Sequence, residues 1–306
     1  MEPSGHRRPA GLHAIARPSG ALAMVAIDQR DSLRSMFQAR QSEPVPDDLV
    51  ADFKIAVAET LGGTASAMLF DRHFGFPALR LARAKHPACG RVLAADRLIQ
   101  VPGLPVTDTD IDADVDPAMA RQEGVVALKL LLLWKGRENA VRCGGLAKTF
   151  MERCRANGLV GIVEAMVRPP DNGGASDNWD REQAILEAAE ALADSRPDLY
   201  KGEVPFRGRA QPDAIRARCE QISAALACPW VVLSQGVEAS DFPAAVRAAC
   251  LGGASGFLAG RAIWADTVGP GDYRGRLRAM ALPRLQALIE IVDASARPWG
   301  AVTRTS

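Results

Sequence analysis

The chain has 306 residues, of which 48% are hydrophobic, and a formal net charge of +1. This composition allows a large buried core, and its basic residues are scattered, which excludes the concentrated positive surface of a nucleic-acid-binding protein. The longest apolar run, residues 125–134, falls well short of the roughly 18 residues that a membrane-spanning helix requires. We therefore expect neither a nucleic acid nor a membrane as a partner.

The positions of the cysteines and histidines indicate which kinds of site the chain can form. Six cysteines form no C-x-x-C pair, which favours reduced structural thiols and a cytoplasmic location. The four histidines all lie in the first third of the chain and form no H-x-x-H pair. A zinc site is therefore not expected, and acid–base chemistry would fall to carboxylates and lysines. Residues 1–11 lack the apolar segment of a signal peptide and are interpreted as a flexible N-terminal tail.

Short apolar segments alternate with helical patterns along the chain. In chain order, the predicted strands cover 21–27, 66–70, 91–95, 125–134, 159–167, 197–205, 229–233 and 255–258. Helices are predicted after the first strand and at 47–61, 139–157, 180–195, 212–226, 240–251 and 283–294. Eight βα units predict a single (β/α)8 TIM barrel over residues 12–306. A six-stranded doubly wound sheet is the alternative, but no G-x-G-x-x-G motif follows the first strand.

Two long loops interrupt this pattern. Residues 100–116 are predicted to form one loop, which carries five aspartates at alternate positions: Asp108, Asp110, Asp112, Asp114 and Asp116. A calcium site would need the glycine and closing glutamate of an EF-hand, so a solvated acidic loop is the expectation. Residues 171–179 are rich in Gly, Asn and Asp and are predicted to be a mobile loop.

Charged residues recur where the predicted strands end, which is where TIM barrels place their catalytic groups. The first strand ends in Asp28, Gln29 and Arg30, and later strands carry Lys129, Glu164, Lys201 and Glu203. Any one of them could be an ordinary charge at a strand end with its head group in water. Together, an acid, two lysines and two glutamates predict a catalytic centre.

The two lysines suggest nucleophilic catalysis. A lysine attacks a ketone only as a neutral amine, and burial or a second ammonium group lowers its pKa toward that state. Lys129 and Lys201 are predicted to face each other across the barrel, one as nucleophile and the other lowering its pKa or binding an oxyanion. The sequence pattern does not rank them. Glu164, on the strand between them, is placed for proton transfer.

The last two predicted βα units indicate an anion site. Ser234, Gln235 and Gly236 follow the seventh strand, and a glycine-rich segment at 252–256 with Gly260 and Arg261 surrounds the eighth. TIM barrels often bind phosphate at these two loops. Each glycine could simply shape a tight turn, but the pattern in both loops together with Arg261 favours an anion site.

Five separated motifs carry a family resemblance: AIDQR at 26–30, ALKLL at 127–131, DLYK at 198–201, WVVLS at 230–234 and GGASGFLAGRAIW at 252–264. With them, residues 12–295 resemble the class I tagatose-1,6-bisphosphate aldolase family. The segments RDSLRSMF at 30–37, VRPP at 167–170 and DREQAI at 180–185 are most similar to sulfofructosephosphate aldolases. The resemblance implies retro-aldol cleavage of 6-deoxy-6-sulfofructose 1-phosphate to dihydroxyacetone phosphate and 3-sulfolactaldehyde, through a Schiff base and without a metal or other cofactor.

The resemblance also implies residue roles. Lys201 would form the Schiff base, Glu164 would exchange a proton with the C4 hydroxyl, and Asp28, Lys129 and Glu203 would orient and tune the lysine. The anionic end of the substrate would be held by the glycine-rich loops and the end of the first strand, through Ser234, Gly236, Gly260 and Arg261, with Gln29 and Arg30 as further candidates.

Three departures from the family pattern leave the second anion of the substrate open between sulfonate and phosphate. They are Gly202, two arginines within residues 206–209, and Gln235. The alternatives are therefore an aldolase for tagatose 1,6-bisphosphate and a non-catalytic barrel that senses a sugar phosphate. We expect the protein to be a homo-oligomer.

Overall fold

The structure is a computed structural model that describes residues 11–101, 104–170 and 179–302. Apart from Gly11, the predicted N-terminal tail at 1–11 lies outside the described residues. Of the loop predicted to be mobile, 171–179, only Trp179 is described.

Within these residues, eight parallel strands form a closed barrel. The strands are β1 (Leu22–Ile27), β2 (Ala67–Phe70), β3 (Gly90–Ala94), β6 (Ala127–Trp134), β7 (Val160–Val167), β8 (Leu199–Glu203), β9 (Trp230–Leu233) and β10 (Gly256–Ala259). Their order around the barrel is β1-β10-β9-β8-β7-β6-β3-β2, and β2 pairs again with β1. The closed barrel confirms the (β/α)8 prediction and excludes the doubly wound sheet.

Helices cover the outside of the barrel. The longer ones are α1 (Asp31–Gln38), α2 (Asp47–Leu61), α3 (Phe76–Lys85), α4 (Pro117–Gln122), α5 (Ala140–Ala156), α6 (Arg181–Ala193), α7 (Pro212–Ala225), α8 (Phe242–Leu251) and α11 (Leu282–Ser295). Between α8 and α11 lie two single-turn helices, α9 (Arg261–Trp264) and α10 (Tyr273–Arg276), and a π-helical turn at Leu277–Ala281. Local chemistry explains several ends: the Asp180 carboxylate caps α6, and Gly158 follows α5 with a left-handed φ of 64°.

Successive residues of each strand face the barrel interior and the helices in turn. In β8, Leu199 belongs to the apolar cluster that fills the barrel, whereas Tyr200 packs into the core beneath the helices. The alternation places Leu199 and Lys201 on the same face of the strand. Because the lower interior is filled by apolar side chains, charged groups can be grouped only near the C-terminal ends of the strands.

The acidic stretch is not the single loop that was predicted for residues 100–116. Asp108–Ile111 forms strand β5, which pairs antiparallel with β4 (Asp96–Ile99) as a two-stranded sheet beside the barrel. Arginines pair with two of the aspartates, Arg142 with Asp108 at 2.8 Å and Arg97 with Asp110 at 3.2 Å, and these side chains remain partly exposed to solvent. Thr109, between two of the aspartates, is buried, so residues 108–110 alternate between partly exposed and buried side chains as a strand does. The number of acidic residues alone did not indicate a strand.

All six cysteines are buried and none forms a disulfide bond within the described part of the chain, consistent with the structural role that was expected. Burial raises the pKa of the Cys89 thiol to about 12. None of the helices in the described ranges is both long and apolar enough to cross a bilayer.

Candidate active site

Lys201 and Glu164 form the centre of a charged cluster inside the barrel. The register of the β7–β8 pair places them directly beside each other, and both are buried. Lys201 Nζ lies 2.9 Å from Glu164 Oε1. The other carboxylate oxygen, Oε2, lies 3.4 Å from Nζ of Lys129 on β6. One carboxylate therefore contacts both lysines.

The sequence had suggested that the two lysines face each other across the barrel, and this prediction is wrong. Only β7 separates their strands, because the barrel order is β6-β7-β8. Lys129 pairs in register with Ile162, two residues before Glu164, so it also lies one inward-facing position deeper than Lys201. Neighbouring strands in a sheet are about 4.8 Å apart, which explains why a single glutamate spans the gap.

Lys129 is surrounded by carboxylates. Its Nζ lies 2.8 Å from Asp28 and 2.7 Å from Asp96, in addition to the contact with Glu164. Burial alone would lower the pKa of Lys129, but these three carboxylates outweigh it and raise the pKa above its ordinary value. Burial would likewise raise the pKa of Asp28, yet the ammonium groups of Lys129 and Lys201 lower it. Lys129 is therefore held as a cation.

Asp96 was not predicted as a site residue. It follows the predicted strand 91–95 directly, just as Asp28 follows the predicted strand 21–27, so the strand-end rule could have identified it. Besides Lys129, its side chain accepts hydrogen bonds from Leu131 N at 3.3 Å and from Arg30 Nη2 at 3.3 Å. Asp96 thus connects the second lysine to Arg30.

These groups open into a cavity of about 250 Å³ at the C-terminal end of the barrel. Gln235, from the loop that was predicted to bind an anion, lines it as well, and so does Arg168, which was not predicted as a site residue. Among the described residues, no group of His, Cys, Asp and Glu side chains has the arrangement of a metal site. The predicted site residues that line the cavity are Asp28, Gln29, Arg30, Lys129, Glu164, Lys201, Ser234, Gly260 and Arg261.

Glu203 and Gly236 do not line this cavity. They line a neighbouring one of about 400 Å³, which adjoins the first at Arg168 and Gln235. The Glu203 carboxylate accepts a hydrogen bond from Val167 N at 2.7 Å and forms an ion pair with Arg181. Glu203 lies two residues beyond Lys201, a rise of about 6.6–6.8 Å along the strand. Glu203, which was expected to orient and tune the lysine, thus contacts the end of β7 and Arg181.

Arg261 also lines the cavity. It is half-buried and donates a hydrogen bond to Gln235 Oε1 at 2.8 Å, and among the described residues no carboxylate forms an ion pair with it, although Asp28 and Glu164 act on it from a longer distance. A half-buried guanidinium that is not engaged in an ion pair can bind an anion. Gly260 beside it must be a glycine, because a Cβ there would lie 2.4 Å from Ala26 O. Ser234 is buried next to this turn.

Solved structures of aldolases share this fold. A fructose-bisphosphate aldolase from Slackia heliotrinireducens superposes with a TM-score of 0.64 at 18% identity, over 92% of this chain and 88% of its own. An archaeal fructose 1,6-bisphosphate aldolase superposes with a TM-score of 0.62 at 14% identity, over 94% of this chain and all of its own. At these identities the likeness concerns the fold alone.

Sequence similarity identifies the family to which the chain belongs. The chain is 28% identical to a tagatose 1,6-diphosphate aldolase from Listeria monocytogenes, over 94% of this chain and 92% of the relative. It is 26% identical to a tagatose 1,6-diphosphate aldolase from Staphylococcus aureus, over 95% of this chain and 96% of the relative. The family model described as DeoC/LacD family aldolase matches residues 22–266, which include every barrel strand. The chain therefore belongs to the DeoC/LacD family of aldolases, which are carbon–carbon lyases.

Proposed function

We propose that the protein is a class I aldolase in which Lys201 forms a Schiff base with the ketone of a ketose phosphate. The observation that carries this proposal is the contact of 2.9 Å between Lys201 Nζ and Glu164 Oε1, in a cavity that Arg261 also lines. A potential nucleophile and a proton acceptor are thus in direct hydrogen-bond contact.

The surroundings of the two lysines support Lys201 as the nucleophile. Lys129 contacts three carboxylates, which raise its pKa and keep it protonated. Lys201 contacts one carboxylate, that of Glu164, and lines the cavity. We therefore propose Lys201 as the nucleophile and Lys129 as a cation that stays protonated.

The proposed reaction follows from this arrangement. The neutral amine of Lys201 adds to the ketone carbon C2, and loss of water from the carbinolamine gives a protonated Schiff base. Glu164 then takes the proton of the C4 hydroxyl while the C3–C4 bond breaks, and the bonding electrons pass into the iminium to form an enamine. The aldehyde leaves, C3 of the enamine takes up a proton, and water hydrolyses the Schiff base to release dihydroxyacetone phosphate.

Arg261, Ser234 and Gly260 are proposed to hold the C1 phosphate. Support comes from their position in one part of the cavity, where no carboxylate among the described residues forms an ion pair with Arg261. Gln29 and Arg30 line the cavity at the end of β1 and are candidates for contacts with the rest of the sugar. Lys129 and Asp28 would maintain the electrostatic field around the amine of Lys201.

For the full substrate we propose 6-deoxy-6-sulfofructose 1-phosphate, cleaved to dihydroxyacetone phosphate and 3-sulfolactaldehyde. Arg30 and Arg168 belong to the segments that resemble sulfofructosephosphate aldolases, and both line the cavity. Arginine binds sulfonate and phosphate groups alike through charge-assisted hydrogen bonds. The second candidate is tagatose 1,6-bisphosphate, cleaved to dihydroxyacetone phosphate and glyceraldehyde 3-phosphate, because the curated relatives carry that name.

Borohydride trapping with each ketose phosphate, followed by mass mapping, tests the mechanism. We expect a reduced adduct on Lys201, and activity that EDTA does not change. An adduct on Lys129 would overturn the assignment of the nucleophile, and no adduct with either substrate would overturn the Schiff-base proposal. Cleavage rates measured on both substrates separate the two candidates, since a higher kcat/KM for the bisphosphate would contradict the sulfosugar assignment.

A further inference from the structure

Lys54 is a buried charge that the proposed mechanism leaves unused. It lies in α2, outside the barrel, and is fully buried. Its Nζ donates to Ile27 O at 2.8 Å and to Gln29 O at 2.7 Å, and it forms an ion pair with Asp71. An ammonium group has three N–H donors, so these three acceptors satisfy it completely.

The two carbonyls that Lys54 binds belong to the residues on either side of Asp28. The chain leaves β1 at this point, and Asp28 must turn its carboxylate inward to reach Lys129 at 2.8 Å. Gln29 and Arg30 in the same segment line the cavity. Lys54 therefore holds the backbone from which three residues of the site project.

Asp71 anchors Lys54 from the neighbouring strand. It follows β2 directly, and its other carboxylate oxygen accepts a hydrogen bond from Phe74 N at 2.8 Å. Burial lowers the pKa of Lys54, and the Asp71 carboxylate opposes that effect. The pair thus connects the ends of β1 and β2 below the cavity without adding net charge.

A contribution to stability is a weak explanation for the presence of a buried ion pair of this kind. Replacing such a pair with apolar side chains of similar size is often neutral or stabilising, since both ions lose their hydration when they are buried. Its geometry, in contrast, is specific: the ammonium fixes two carbonyls and therefore the direction of the chain between them. Small displacements of groups near a reacting centre can lower rates by as much as about 100-fold.

We propose that Lys54 is a positioning residue, which binds the Ile27 and Gln29 carbonyls and so directs Asp28 onto Lys129. This inference rests on the proposed function for its effect on the reaction rate, but its structural part can be measured without substrate. Lys54 does not touch the reacting atoms; it acts through Asp28 and Lys129.

The variant to test is the double change Lys54→Met and Asp71→Asn. It removes one charge of each sign and keeps an oxygen that can accept from Phe74 N, whereas Lys54→Met alone would leave Asp71 buried and unpaired. The matched control is Leu61→Ala, at a fully buried position of the same helix. The leucine side chain is apolar, so this change removes no hydrogen bond to residues 27–29. Folding is checked by circular dichroism and thermal unfolding.

Two readouts decide the outcome. We expect the Asp28 carboxyl, assigned by ¹³C NMR against Asp28→Asn, to titrate at a higher pH in the folded double variant than in the wild type, and kcat to fall at least tenfold. In the control, Asp28 should titrate at the same pH as in the wild type, and kcat should stay within twofold of the wild-type value. A wild-type titration in the double variant, or a fall in kcat no larger than in the control, would overturn the proposal, and so would a double variant that cannot fold. Failure of borohydride trapping in the wild type would refute the Schiff base while the titration still decides the role of Lys54.

Discussion

Glu164 and Lys201 are register partners on adjacent strands, and this pairing brings Oε1 within 2.9 Å of Nζ. The second oxygen of the same carboxylate lies 3.4 Å from Lys129, whose charge is further compensated by Asp28 and Asp96. The cluster is therefore asymmetric: one lysine is surrounded by acids, and the other shares a single acid. This asymmetry supports the different roles that we propose for the two lysines.

Glu164→Gln tests proton transfer. The amide keeps the size of the side chain but cannot accept the proton of the C4 hydroxyl, so kcat for cleavage should fall by about 10²–10⁴. Borohydride should still trap the substrate on Lys201, because formation of the Schiff base retains its nucleophile. Cleavage at the wild-type rate would contradict the role of Glu164.

Lys129→Met tests whether Lys129 compensates the buried carboxylates. The change leaves Asp28 and Asp96 without their shared cation, and removing one partner of a buried ion pair costs about 3–5 kcal/mol. Urea unfolding should show this loss in the free energy of unfolding. Lys148→Met, at an exposed position of α5, is the control and should change stability by less than about 0.5 kcal/mol. Equal stabilities of the two variants would refute the electrostatic account of Lys129.

The lowered pKa of Asp28 predicts a specific pH dependence. Because the pKa is lower in the folded than in the unfolded protein, ionised Asp28 stabilises the fold at every pH above its unfolded pKa of about 3.9. The contribution is lost as the pH falls from that value through the folded pKa. The stability difference between wild type and Asp28→Asn should thus be constant above about pH 5 and shrink in stronger acid. A difference that grows on acidification would contradict the ion pair with Lys129.

Glu203→Gln tests whether Glu203 stabilises the fold or takes part in the reaction of Lys201. The variant weakens the ion pair with Arg181 and the bond to Val167 N, which should lower the free energy of unfolding by about 1–3 kcal/mol. Trapping of substrate on Lys201 should persist, since Glu203 contacts the end of β7 instead of the lysine. If stability were unchanged and trapping lost, Glu203 would act on Lys201, as the family resemblance implies.

Arg261→Met tests the anion site. Loss of a charge-assisted hydrogen bond of about 1.5–3 kcal/mol should lower kcat/KM by roughly 10- to 150-fold, mainly through a higher KM. The affinity for inorganic phosphate, measured by competitive inhibition, should fall in parallel. Arg216→Met removes an exposed arginine of α7 and is the matched control. An unchanged KM would exclude Arg261 from phosphate binding.

Much of the architecture could be predicted from the chain, because local patterns determine it. Apolar segments of strand length alternate with helical periods, and helix α2 begins and ends at the predicted residues, Asp47–Leu61. The β4–β5 sheet could not be predicted in this way. Its acidic residues satisfied a loop pattern, whereas the pairing of β5 with β4, which places Arg97 opposite Asp110, is a tertiary feature.

By itself the sequence determined the closed barrel and which charged residues end its strands, since periodicity and strand-end position are properties of neighbouring residues. The tertiary structure alone decided how these charges pair. Barrel order and register placed Glu164 between Lys129 and Lys201 and brought Asp96 to Lys129, while Glu203 was turned toward Arg181. The physical reason is that electrostatic energy depends on distances of a few ångströms between residues far apart in the chain. Strand alternation specifies only the face on which each residue lies.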